Sequence, residues 1–334
     1  MEHYKAHPEA VFEGYYSKFD LPSGSHVVLI ICSVPKAEKL PPFMVSFTYY
    51  PRFGDAIFQR EHWVTEIQRI NTGPANAFEL RVPGMGFMRC EQDSKTLYEF
   101  TADEWSFNTT TTSHEPWSRT KTTPEGWMVT LPLPLHWHVH SLGSSCHFKL
   151  SIPSLNLPIA DQKGIALVHQ EKNWASSFPA AHMWIQARDG ERGICVAGGK
   201  ILGITAYILG YRSPDINLDF VPPYAMILFS MSPFMSVNVD WENRAFYLST
   251  QSLWKKIVVR AKAPKEKGWF GLGSPFPEGH RPNFCIESFL AIVEVEIWER
   301  SWWGTWKQLQ KASFKNASLE FAGEYFPGRS KKVD

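Results

Sequence analysis

Charge is what this chain has least of. Only 20% of its 334 residues are Asp, Glu, Lys or Arg, and 34 basic side chains against 33 acidic ones leave a formal net charge of +1. A chain so balanced has no global field of one sign to draw it onto a phosphate backbone or an anionic lipid surface. Nucleic acid is therefore not expected as a partner. Cysteine is sparse as well: Cys32, Cys90, Cys146, Cys195 and Cys285 are odd in number and scattered, with no Cys-x-x-Cys pair. That spacing excludes a disulfide scaffold, a zinc ribbon and a dithiol redox motif, and predicts reduced, mostly buried thiols. The opening residues MEHYKAHPEAVFEGYY have neither a basic nor an apolar signal region, so a cytoplasmic protein is expected. The sequons at Asn108 and Asn316 carry little weight without such a signal.

Uninterrupted hydrophobic runs are missing too. Gly126 to Phe148 contains Pro132, Pro134 and four His, and Phe220 to Trp241 contains Pro222, Pro223 and Pro233, so neither suits a membrane span and no stable membrane insertion is expected. Pro222 to Val237 stays open between a pocket lid, a membrane-touching loop and core. Gly84-Met-Gly and Gly268-Trp-Phe-Gly-Leu-Gly lack the strand-then-helix context of a phosphate loop, and no nucleophile elbow is present. Cofactor-free chemistry without a metal is the economical expectation.

What the chain does have is aromatic surface: 14 Trp, 11 Tyr and 23 Phe make up 14% of the residues, alongside 24 Pro. The dominant hydrophobic period is two, in short segments punctuated by Pro and Gly, which predicts an all-β fold. Strands are expected at Phe12 to Phe19, Val27 to Cys32, Phe43 to Tyr50, Phe78 to Val82, Trp127 to Val139, Cys146 to Ile152, Ile204 to Tyr211, Phe246 to Ser249, Lys256 to Ala261 and Phe289 to Glu299. Trp63 to Ile70 and Trp302 to Phe314 each read as a short helix or a strand. Many short antiparallel strands suggest sandwiches or barrels. A division within Leu155 to Gln162 would give an N-terminal β domain over residues 1–155 and a C-terminal one over residues 156–334.

The most informative stretch is His169-Gln-Glu-Lys-Asn-Trp-Ala-Ser-Ser-Phe-Pro, followed by His182-Met-Trp-Ile-Gln. Alternation on an extended chain puts His169, Glu171 and Asn173 on one face and Gln170, Lys172 and Trp174 on the other, while His182, Trp184 and Gln186 share a face of the next segment. Such a gathering of carboxylate, imidazole, amides and indoles suits a large apolar ligand. His136, His138 and His140 also alternate, with Trp137 and Val139 on the opposite, core-like face, and they read as a solvent-facing or pocket-lining row rather than a metal site. Glu294 and Glu296 share a face but read as solvated.

The Glu171-Lys-Asn-Trp stretch with its later Trp-x-Gln resembles the signature of the tocopherol cyclase family. Glu13-Gly-Tyr-Tyr-Ser-Lys, Gly198-Gly-Lys-Ile, Phe284-Cys-Ile-Glu-Ser-Phe-Leu and Ile297-Trp-Glu resemble further family stretches in the same order. The departures are Ala175 for a Gly, His182 for the first Trp of a Trp-x-Trp pair and Glu287 for an Asp. The resemblance implies two lipocalin-like antiparallel β-barrel or sandwich halves with few short helices, in a superfamily that includes carotenoid hydratases and fungal Diels-Alder cyclases. It also implies ring closure on a hydrophobic polyketide or terpenoid-derived small molecule.

Such a reaction needs an acid in a dry pocket, where burial raises a carboxyl pKa and aromatic faces favour developing positive charge. Glu171 is the expected acid, His169 its proton partner, and Asn173 and Gln186 the groups orienting a phenol, carbonyl or water. Trp174, Phe178 and Trp184 would wall the substrate, with His182, His138 and Tyr16 as further contacts. The same polar residues equally suit a structural corner. A pericyclic step, an alkene hydratase and a non-catalytic carrier of an apolar ligand are the competing readings.

Overall fold

The computed structural model describes residues 5–74, 77–118, 121, 123–131, 133, 135–201 and 203–327. It divides into two compact units, Met1–Ser177 with Pro275–Arg281, and Phe178–Ser274 with Pro282–Asp334. Both are antiparallel β, as the period-two pattern predicts.

The first unit runs β1 (Phe12–Asp20), β2 (His26–Ser33), β3 (Phe43–Tyr50), β4 (Phe58–Val64), β5 (Gln68–Asn71), β6 (Phe78–Val82), β7 (Gly86–Cys90), β8 (Thr96–Ala102), β9 (Trp105–Thr111), β10 (Leu135–Ser151) and β11 (Lys163–Ala175). A 3-10 turn at Gly126–Thr130 and a single helical turn, α1 (Ile159–Gln162), interrupt it. The sheet order is β4-β3-β2-β1-β11-β10-β9-β8-β7-β6-β5, so the first and last strands of the unit pair at its centre. The second unit repeats this plan with β12 (Ala181–Asp189), β13 (Arg192–Ile201), β14 (Ile204–Arg212), β15 (Asn217–Phe220), β16 (Met226–Ile227), β17 (Met235–Asp240), β18 (Ala245–Gln251), β19 (Lys255–Lys262), β20 (Phe270–Phe276), β21 (Gly279–Arg300) and β22 (Trp306–Gly323). Its first and last strands, β12 and β22, also pair.

Alternation decides the faces. On β1, β2 and β3 the side chains of Tyr15, Phe19, Leu29, Ile31, Val45 and Phe47 enter the first unit's core, where Phe47 stacks on Trp105 at 4.0 Å. Val168 enters the same core from β11, so Gln170, Lys172 and Trp174 share its side of the strand and His169, Glu171 and Asn173 take the other. In the second unit Met183, Ile185 and Ala187 of β12 face the core, leaving His182, Trp184 and Gln186 on the opposite side.

The structure settles two open readings and corrects a third. Trp63 to Ile70 is not a helix: it spans the end of β4, a turn and β5, because its apolar residues belong to two strands whose ladders lie at opposite edges of the sheet. Trp127 to Val139 is not one strand; the 3-10 turn takes its first residues and β10 starts at Leu135. The ambiguous C-terminal segment resolves as strand, with β22 beginning at Trp306. Pro132 and Pro134 lie outside the described residues.

Candidate functional site

Strand β11 carries the site of the first unit. Lying between β1 and β10, it has ladder partners on both sides, so its side chains are held by a doubly paired backbone rather than by a loop. Glu171 is opposite Tyr16 on β1 and Val139 on β10. Its Oε1 is 2.6 Å from His169 Nε2, and its Oε2 accepts a 2.8 Å hydrogen bond from the indole N–H of Trp137. All three side chains are buried. Trp137 packs edge-on against Trp117 at 5.7 Å, which fixes the indole that in turn fixes the carboxylate.

Asn173 sits opposite Gly14 on β1. A Cβ built at Gly14 would lie 2.8 Å from Asn173 Oδ1, so the glycine is the space into which the amide folds. We expect Gly14→Ala to cost about 1–3 kcal/mol by overpacking, read by chemical denaturation. Adding Asn173→Ala should recover most of that loss, since the second change removes the atom struck. Equal costs in both backgrounds would show that the amide does not depend on Gly14.

The opposite face of β11 holds a second polar cluster. The Lys172 ammonium, fully buried, is 2.5 Å from Glu13 Oε1 and 2.9 Å from His7 Nδ1, and also bonds the Lys5 carbonyl. Trp174 is sandwiched between His7 at 4.0 Å and His136 at 4.9 Å. His136 Nδ1 meets the buried Glu125 at 2.8 Å, and Glu125 also accepts the Trp137 backbone N–H at 2.6 Å. A cavity of about 140 Å³ opens beside this cluster, lined by Glu13, Tyr15, Arg69 and apolar side chains that include Phe12 and Phe43. Burial alone would push the Glu13 carboxyl up, but the His7 hydrogen bond and the charges of Lys172 and Arg69 bring it down to about 2.

The histidine row is placed differently from its alternation. His136 and His138 are in register with Trp174 and Lys172, hence on the core side, while Trp137 and Val139 share the Glu171 face that had read as plain core. Between Val139 and Ser144 the ladder shifts register twice. Ser141 Oγ bonds both the Ser144 N–H and its hydroxyl there, and this bulge takes His140 out of the row.

The second unit carries the rest of the expected set on β12 and just before it. Phe178 packs edge-on against His182 at 5.3 Å and Phe284 at 5.9 Å. His182 Nε2 stands 3.5 Å from Glu320, and burial pushes the imidazole down to about 4. Trp184 is in register with Glu320 on β22, which is itself opposite Glu287 on β21. Gln186 has Cys195 on one side and Ser318 on the other. Carboxylates 287 and 320 are thus buried neighbours on the His182–Trp184–Gln186 face. Glu287 lay in a family-like stretch, but Glu320 had no such signal beyond the alternation of Ser318-Leu-Glu-Phe. His169, Glu171, Asn173, Trp174, His138 and Tyr16 belong to one unit, and Phe178, His182, Trp184 and Gln186 to the other.

No helix among the described residues is long and apolar enough to cross a membrane. No family model matches the chain. A protein of Oryza sativa subsp. japonica named "Probable tocopherol cyclase, chloroplastic" is 24% identical over 258 residues, covering 71% of this chain and 50% of that protein. The chain thus spans about half the length of this relative. Among solved structures, an AttH-type protein of Nitrosomonas europaea aligns over 95% of this chain and 94% of its own, with TM-score 0.53 and 11% identity. Kievitone hydratase of Nectria haematococca aligns over 94% and 89%, with TM-score 0.55 and 9% identity. The chain is therefore similar in sequence to a tocopherol cyclase and in fold to these two structures, consistent with the resemblance read from the sequence.

Proposed function

We propose that the protein is a cofactor-independent enzyme that protonates an alkene of a hydrophobic, polyketide or terpenoid-derived substrate and lets an internal phenol close the ring. The observation that carries this reading is the buried His169–Glu171 pair on the central strand β11, held from β10 by the Trp137 indole. Similarity to a tocopherol cyclase supports it.

In this reaction the proton between His169 Nε2 and Glu171 Oε1 is the one delivered. Glu171 as the carboxylic acid gives it to the less substituted alkene carbon, leaving a tertiary cation and a carboxylate. The phenol oxygen attacks the cation and its proton passes back to the Glu171–His169 pair, so the reaction is an isomerisation with no net change in atoms. The Trp137 indole N–H holds one carboxylate oxygen while the other transfers the proton, and the charge-assisted hydrogen bond it makes favours the carboxylate formed in that step. Asn173 on the same face would orient the phenol.

Isotopes separate this from its rivals. With a prenylated hydroquinone in D₂O enriched in ¹⁸O, the product should carry one deuterium on carbon and no solvent oxygen. A hydratase would add both, a pericyclic closure neither, and a carrier would bind without making product. Either of the last two results would overturn acid catalysis.

A further inference from the structure

One end of the second unit's sheet is built to meet an apolar environment. The turn between β21 and β22 holds Trp302 at 82% and Trp303 at 90% exposure. Both indoles stand in solvent rather than in a core. The adjoining turn between β18 and β19 exposes Leu253 and Trp254, and the two turns are pinned together. Arg300 N–H donates to the Trp254 carbonyl at 2.8 Å, and Trp254 stacks on Trp302 at 5.9 Å. The third loop at this end joins β16 to β17, next in the sheet, where Gln251 N–H donates to the Phe234 carbonyl at 3.0 Å. At its tip Leu228 and Met231 bond each other in both directions around Phe229 and Ser230, which have φ of 50° and 64°.

That last geometry is informative. A two-residue turn with both φ values positive favours Asn-Gly, and a bulky aromatic residue there is strained. The strain serves no core contact, because Phe229 is 90% exposed and Met231 74%. Three neighbouring rigid turns thus hold large apolar side chains away from the protein. Behind them stand Lys255, Lys256, Arg300 and Lys307 against Glu299, a local basic excess that the chain's overall neutrality conceals. Trp and Phe above a collar of Lys and Arg is the arrangement that settles at the headgroup level of an anionic bilayer.

We infer that these three turns form a peripheral docking surface for anionic lipid, with Phe229, Trp302 and Trp303 entering the interface and the basic collar meeting headgroups. This surface is separate from the Glu171 site and does not rest on the proposed reaction. Segment 222–237, which the sequence left open, would then touch membrane through residues 228–231.

Co-sedimentation of the full chain with vesicles of phosphatidylcholine and phosphatidylserine at a 4:1 ratio tests this. Binding is expected, with a blue shift of Trp emission, and should fall about tenfold or more in Trp302→Ser/Trp303→Ser. Phe229→Ser should weaken it too. Pure phosphatidylcholine, about 1 M salt, or Lys256→Glu/Lys307→Glu should reduce binding while circular dichroism stays unchanged. Equal binding by wild type and tryptophan variant, or no binding to either vesicle, overturns the inference. So does sedimentation showing a dimer that Trp302→Ser dissociates without any vesicle binding, which would assign the surface to a second copy of this chain.

Discussion

Replacing Glu171 with Gln should lower turnover by about 10²–10⁴-fold, the usual worth of one positioned acid, while ligand binding persists. The substitution is nearly isosteric and keeps the local bonding. The amide carbonyl still accepts the Trp137 indole N–H, and the amide NH₂ can donate to His169 Nε2, so the two contacts at 2.8 and 2.6 Å survive. What disappears is the transferable proton. The unfolding free energy should accordingly change by no more than about 1–2 kcal/mol. Single-turnover rates with the prenylated hydroquinone, compared with its binding affinity, provide the measurement. Unchanged turnover would remove Glu171 from the chemistry and leave a catalyst that works by folding its substrate.

The second large effect concerns stability. Glu13→Gln should destabilise the protein by about 3–5 kcal/mol at neutral pH, because it leaves the fully buried Lys172 ammonium without its counter-charge. The pH dependence has a definite sign. The Glu13 carboxyl is held at about 2 against an ordinary 4.5, so on acidification the unfolded chain takes up the proton first. The contribution of about 3 kcal/mol is present in full above pH 4.5 and is lost as pH falls towards 2. Denaturant titrations should therefore show a constant difference between wild type and Glu13→Gln above pH 4.5 that shrinks as pH falls towards 2. The double variant Glu13→Gln/Lys172→Met should be more stable than Glu13→Gln alone, since it removes the stranded charge. A flat difference across that pH range would show that the pair contributes nothing.

Local alternation made much of this molecule readable. Phe43 to Tyr50 and Phe78 to Val82 form strands with the bounds the sequence predicts. His169 and Glu171 also meet as their spacing on an extended chain predicts. Failures came where the information is non-local. The indole that holds Glu171 is 34 positions away on β10, and finding it needs the register between two strands. The same holds for Glu13 against Lys172 and for Glu320 against His182. The double register shift around Ser141 shows the complementary limit: the first slip puts Ser141 opposite Gln170, the second restores the alternation from Ser144 onward, and no periodicity announces either. The exposure of the tryptophans in the β21–β22 turn was not legible either, since aromatic content says nothing about which aromatics face solvent.

The pairing of first and last strands at the centre of each unit bears on how the chain emerges from the ribosome. Phe12 waits for Ala175, and Ala181 for Gly323, so neither sheet can close until nearly all of its unit has been synthesised. Contacts of such long sequence separation form slowly, and β1 meanwhile has an open edge. The His169–Glu171 pair rides on the closing strand itself. Acid chemistry at Glu171 would therefore switch on only with the last strand to be laid down, and enzyme activity would report completed closure of the first sheet.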